Sequence, residues 1–138
     1  MDDDRYVYRY SHGGEVIGED RMPTSEQTII KRVTELVAAD SVSSPDPIWD
    51  SSNRRVINHL SDYAERDGWT VEIQKLESTE HGKANLIATL GNTDSISNEH
   101  AGLVLSGHTD TVPFDAGGWG SDPLKLTERD GRLYGLGS

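Results

Sequence analysis

The chain has 138 residues, with 24 acidic side chains against 13 lysines and arginines for a formal net charge of −11, and it has no cysteine. This length allows one domain with a real core that buries roughly two-thirds of its surface, while the acidic balance argues against nucleic acid as a partner, because phosphate recognition needs a basic face. Without thiols there is no disulfide framework and no thiolate zinc site, so any metal must be held by histidine and carboxylates.

The chain opens Met1-Asp2-Asp3-Asp4, the reverse of a basic signal-peptide start. No run approaches the roughly 20 apolar residues that span a bilayer. A soluble, cytoplasmic protein without a membrane partner is expected. Residues 1–23 carry Tyr6, Tyr8 and Tyr10 and three glycines without a helical period. They read as a poorly ordered amino-terminal extension, with at most a short strand near Val7, and are assigned no chemistry.

From Thr24 the pattern changes. Thr24 with Gln27 reads as a capping box, and Ile29, Ile30, Val33, Leu36 and Val37 follow at helical spacing. This helix should stop near Asp40, before the turn chemistry of residues 41–47, which includes Pro45 and Pro47. A second helix is expected after Ser51-Ser52-Asn53, with Val56, Ile57, Leu60, Tyr63 and Ala64 on one face and Gly68 beyond its end. Strands are predicted over 70–76, where Val71 and Ile73 alternate with polar residues, and over 84–90.

After a polar loop over 91–100, the aliphatic run Leu103-Val104-Leu105 predicts a short strand buried on both faces. Residues 124–128 and 132–134 predict a hairpin around Asp130-Gly131. Two helices followed by strands indicate an α/β layered domain.

Polar, ionisable residues directly after a buried strand are placed at a sheet edge, where α/β folds usually keep their sites. His108 and Asp110 stand at i and i+2, so in extended backbone their side chains leave one face and can meet. A carboxylate there fixes an imidazole tautomer and frees the other ring nitrogen for a metal. The spacing alone equally allows a surface turn held by hydrogen bonds between the two residues.

The longer string is more specific. Ser106-Gly107-His108-Thr109-Asp110-Thr111-Val112-Pro113-Phe114-Asp115, then Trp119, Ser121-Asp122-Pro123, Leu126 to Gly131 and Arg132-Leu133-Tyr134-Gly135-Leu136-Gly137-Ser138 follow in order. This closely resembles the opening half of the site in the zinc-dependent amidohydrolase family that contains acetylornithine deacetylase, succinyl-diaminopimelate desuccinylase, aminoacylase and related metallopeptidases. Thr111 to Asp115 is most similar to the acetylornithine deacetylase branch. The resemblance covers about residues 24–138 and is strong from Leu103 onward.

The resemblance implies that residues 24–138 are the amino-terminal part of a three-layer α/β/α catalytic domain built on a mixed sheet. It implies two Zn²⁺ ions in the complete enzyme, with Co²⁺ as a substitute. His108 matches the first histidine ligand of that family, and Asp110 matches the acid that orients it and belongs to the catalytic machinery. The bridging aspartate, the glutamate general base, further carboxylate ligands and a second histidine fall after Ser138 in the family, as does a domain that makes a homodimer.

The implied reaction is hydrolysis of the amide of an N-acyl amino acid such as N-acetylornithine, as in arginine biosynthesis. The 138-residue chain alone should be inactive, since metal-assisted hydrolysis needs both an activated water and a proton acceptor. A desuccinylase or a metallo-dipeptidase would share every residue of the motif, and a non-catalytic binding module on the same scaffold is the alternative of a different class. His12, His59, His81 and His100 read as solvated, Asp115 and Asp122 as turn formers, Trp119 as a plug beneath a glycine-rich loop, and Ser41 to Ser44 as loop punctuation or pocket lining.

Overall fold

The computed structural model describes residues 7–10, 16–20, 25–76, 82–91 and 102–138. The chain divides into two compact units, Met1–Arg32 and Val33–Ser138. In the first, β1 (Val7–Tyr10) and β2 (Val16–Asp20) pair antiparallel, with Val7 opposite Asp20 and an irregularity between Tyr8 and Tyr10.

Helix α1 (Glu26–Val37) starts one residue later than its capping pattern predicts. Its cap is Ser25, whose hydroxyl accepts from the Thr28 amide at 3.2 Å and pairs with the Thr28 hydroxyl at 2.8 Å. Thr24, the expected cap, lies outside the described residues. Adjacent Thr and Ser are both competent caps. Of the expected apolar face, Val37 is buried, whereas Ile29 at 53% is exposed.

Helix α2 (Arg54–Arg66) lies against β3 (Thr70–Lys75) and β4 (Ala84–Thr89). It buries Val56, Ile57, Ser61 and Tyr63 and ends as its glycine predicts, with Gly68 at φ +83° and the Trp69 amide donating to the Ala64 carbonyl at 2.9 Å. The strands pair antiparallel with Val71 opposite Ala88 and Ile73 opposite Leu86. These four half-buried residues share one face, as the alternation requires.

Strands β5 (Thr127–Arg129) and β6 (Arg132–Tyr134) form the expected hairpin. Its turn residues Asp130 (φ 53°) and Gly131 (φ 68°) both take the left-handed backbone of a tight two-residue connection. Among the described residues every ladder is a two-stranded antiparallel pair, so a partial α/β layer of helix on sheet is what the structure contains. No helix among them is long and apolar enough to cross a membrane.

The buried strand expected over Leu103 to Leu105 is absent among the described residues. Leu103, Val104 and Leu105 form no strand and stand 84%, 88% and 83% exposed. A strand exists only through its ladder partners, and no described segment pairs with this run; the nearest regular pairing is the isolated parallel bridge between Val42 and Thr111. Three contiguous exposed aliphatic side chains favour association. The 138-residue chain should therefore self-associate with rising concentration in sedimentation velocity, and Val104→Lys should restore a monomer. A wild-type chain that stays monomeric at high concentration would contradict this.

Candidate metal and catalytic site

The segment from His108 to Thr111 is irregular yet firmly tethered. The Thr111 amide donates to the Ser41 carbonyl at 3.1 Å, and the Ser43 amide donates to the Thr111 carbonyl at 2.9 Å. Ser41, 4% exposed, donates its hydroxyl to the Thr109 carbonyl at 2.7 Å. These bonds lay residues 109–111 alongside 41–43 as one rung of parallel pairing.

The 41–53 loop that provides this support is itself braced. Ser51 donates its amide to the Val42 carbonyl at 2.8 Å and its hydroxyl to Asp40 at 2.9 Å. Asp50 accepts from the Ser44 amide at 2.9 Å and from Lys83 Nζ at 2.5 Å, and Lys83 also donates to the Ser43 hydroxyl at 2.9 Å. The Lys83 and Asp50 side chains are only 16% and 15% exposed, which leaves their attraction less screened than a surface pair.

His108 and Asp110 emerge from this support on the same side. Nδ1 of His108 lies 3.2 Å from Asp110 Oδ1 and 3.3 Å from the Asp110 carbonyl oxygen. Both of those oxygens are acceptors, so Nδ1 is the donor in this contact, and in the neutral form of the ring the lone pair then lies on Nε2. The two side chains are 84% and 60% exposed, so Nε2 is open to an incoming group. Half-buried Thr109 between them completes the alternation of an extended segment.

His108, Asp110 and Thr111 form one wall of a cavity of about 610 Å³ whose other walls are largely aliphatic, including Val56, Leu60 and Leu136. Thr111 Oγ1 is buried and has no hydrogen-bond partner among the described residues. The carboxyl-terminal turn closes over the same region: Gly137 takes φ +76°, and a Cβ added there would lie 3.0 Å from Thr111 Cγ2.

The chemistry of these donors suits a metal in one respect. An oriented, exposed imidazole with a free Nε2 is one competent ligand. Among the described residues no group of three or more histidine, aspartate or glutamate side chains converges, and a zinc shell needs about four positions, of which His108 could fill one.

The other residues singled out in the sequence take local roles. Asp115 accepts from the Gly117 amide at 2.9 Å and caps a 3-10 turn over Ala116–Gly118, and Asp122 accepts from the Leu124 amide at 3.0 Å. Trp119 is half-buried. His59 stacks on Tyr63 with centroids 6.2 Å apart. His12, His81 and His100 lie outside the described residues. Asn53 and Ser41 hold the motif from behind; the sequence marks one as part of a cap region and the other as loop or pocket lining, but not their link to Thr109, which lies 56 and 68 residues away.

Residues 104–138 match Peptidase family M20/M25/M40. The chain is 47% identical over 111 residues to an acetylornithine deacetylase of Proteus mirabilis (strain HI4320), an alignment covering 80% of this chain and 27% of that protein. It is 47% identical over 103 residues to the acetylornithine deacetylases of Vibrio parahaemolyticus serotype O3:K6 (strain RIMD 2210633) and Yersinia pestis, covering 75% of this chain and 25% and 26% of theirs. The chain thus spans about a quarter of the length of the curated relatives it matches.

Proposed function

We propose, from the premise that this chain belongs to Peptidase family M20/M25/M40, that it is the amino-terminal part of the catalytic domain of a zinc-dependent deacylase. The substrate class is an N-acyl amino acid, with N-acetylornithine taken from the names of the relatives. The observation that carries this is the His108–Asp110 contact, which lies within the matched residues and on the wall of the cavity.

His108 would hold the metal through Nε2, and Asp110 fixes the ring by accepting Nδ1–H. Zinc held there would supply a more acidic water and a polarised scissile carbonyl. The proton acceptor and the remaining ligands belong to the part of the family pattern that follows Ser138. Support for this division comes from the extent of the match, which covers 27% of the Proteus mirabilis protein.

In the longer protein, residues 103–105 become an interior strand of a mixed sheet in a three-layer α/β/α domain. Their aliphatic character and their position directly before the site favour this. The whole protein is cytoplasmic and dimerises through a domain outside this chain. Its product would serve arginine biosynthesis.

The test is hydrolysis of N-acetylornithine, N-succinyl-diaminopimelate and a dipeptide by a zinc-loaded longer protein carrying this chain, beside the chain alone. Turnover of N-acetylornithine by the longer protein only is expected. Preference for either other substrate would move the specificity within the family. Binding of acyl amino acids without turnover would favour a non-catalytic module, and turnover by the 138-residue chain alone would overturn the division of the site.

A further inference from the structure

The geometry points to Asn53 as a positioning residue for the His108–Asp110 pair, acting through the hydroxyl of Thr109. Its functional meaning rests on His108 being a metal ligand, as proposed above.

Asn53 occupies the N-cap of α2, where asparagine ordinarily turns its side-chain oxygen onto the first free amides of its own helix. It makes no such bond. Instead Oδ1 accepts from the Ala84 amide at 2.9 Å, while Nδ2 donates to the Ala84 carbonyl at 2.9 Å and to Thr109 Oγ1 at 3.2 Å. A primary amide has two N–H donors. Asn53 spends one on β4 and the other on the motif.

The anchor is well chosen for rigidity. Ala84 is the first residue of β4 and 2% exposed. The Leu76 amide donates to the Lys83 carbonyl at 2.9 Å, so Lys83 faces the β3 side and the next residue turns its N–H and C=O to the opposite edge. The Asn53 amide covers that edge as a ladder partner would, extending the sheet by one side chain toward the motif.

Thr109 is the residue through which a fixed point can orient its neighbours. In extended backbone its side chain leaves the face opposite to His108 and Asp110. Its hydroxyl is held by Asn53 and its carbonyl by the Ser41 hydroxyl at 2.7 Å. With both ends held, rotation of the segment about its own axis is restricted, and His108 and Asp110 are kept facing the same way at their 3.2 Å contact.

Thr109→Val removes the acceptor while keeping the branched shape, and leaves both Asn53–Ala84 bonds in place; Thr109→Ser keeps the hydroxyl. The readout is the χ1 rotamer population of His108 and Asp110, from three-bond couplings in the metal-free 138-residue chain. One dominant rotamer at each residue is expected in the wild type, averaging in Thr109→Val, and recovery in Thr109→Ser. In the longer protein, Thr109→Val should lower zinc affinity about tenfold, in the range of lost outer partners of a ligand.

Wild-type rotamers in Thr109→Val would overturn the proposal, as would averaging in Thr109→Ser equal to that in the valine variant. The couplings are read without metal, so the two failures are distinguishable. Zinc affinity indifferent to His108, beside couplings that behave as expected, contradicts the metal reading and not the clamp. Unchanged couplings in Thr109→Val beside His108-dependent zinc binding contradict the clamp alone.

Discussion

Substituting alanine for His108 should lower the zinc affinity of the longer protein by more than about 100-fold, and Asp110→Asn should lower it by about 10–100-fold, the range for groups that orient a ligand. The ordering follows from the geometry. Alanine removes the nitrogen proposed to meet the metal, whereas asparagine leaves the ring in place but can present an N–H where Nδ1–H needs an acceptor. The Asp110 carbonyl, 3.3 Å from Nδ1, remains as a second acceptor and should preserve part of the orientation.

Titration calorimetry on the three proteins checks this. A loss in Asp110→Asn as large as that in His108→Ala would mean that Asp110 touches the metal itself. No loss in either would remove both from the site.

A large effect on stability is expected at Gly135, where space rather than backbone conformation is limiting. A Cβ added there would lie 2.7 Å and 3.1 Å from the two methyl carbons of Val37 and 3.5 Å from Leu126 Cδ1. Val37 is 7% exposed and closes helix α1. A β-branched side chain in a helix has essentially one rotamer, so it cannot swing aside. Gly135→Ala should therefore destabilise the chain by about 1–3 kcal/mol, the usual cost of overpacking.

The carboxyl-terminal turn would be disturbed with it, because the Gly135 carbonyl accepts from the Ser138 amide at 3.2 Å and the Ser138 hydroxyl at 2.8 Å. Adding Val37→Ala to Gly135→Ala should recover much of the loss, since the two substitutions share one space. An unchanged denaturation midpoint in the single variant would contradict this packing.

Periodic and turn-encoded features were legible in the sequence. Helix α2, strands β3 and β4 and the β5–β6 hairpin follow from apolar spacing and from Gly68, Asp130 and Gly131, each of which acts on its immediate neighbours. The contact between His108 and Asp110 was legible for the same reason, as a consequence of i and i+2 spacing. Its chemical meaning came from the longer motif.

Where partners are distant the sequence is silent. Asn53 reads as a cap because that is its local preference, and only the fold shows its amide spent on Ala84 and Thr109. Ser41 reads equally as loop punctuation or pocket lining; it does line the cavity, and only the fold shows it buried beneath Thr109. The run Leu103-Val104-Leu105 forms no buried strand in this chain for a related reason: aliphatic pattern records the environment a segment suits, and no described strand pairs with it.

The most direct measurement of the central claim is a crystal structure of the longer protein with zinc, with anomalous diffraction collected at the zinc edge. A peak about 2.0–2.1 Å from His108 Nε2 is expected, with Nδ1 still directed at Asp110. A fully occupied zinc site elsewhere, with the His108 ring free of metal, would contradict the assignment on which the account depends.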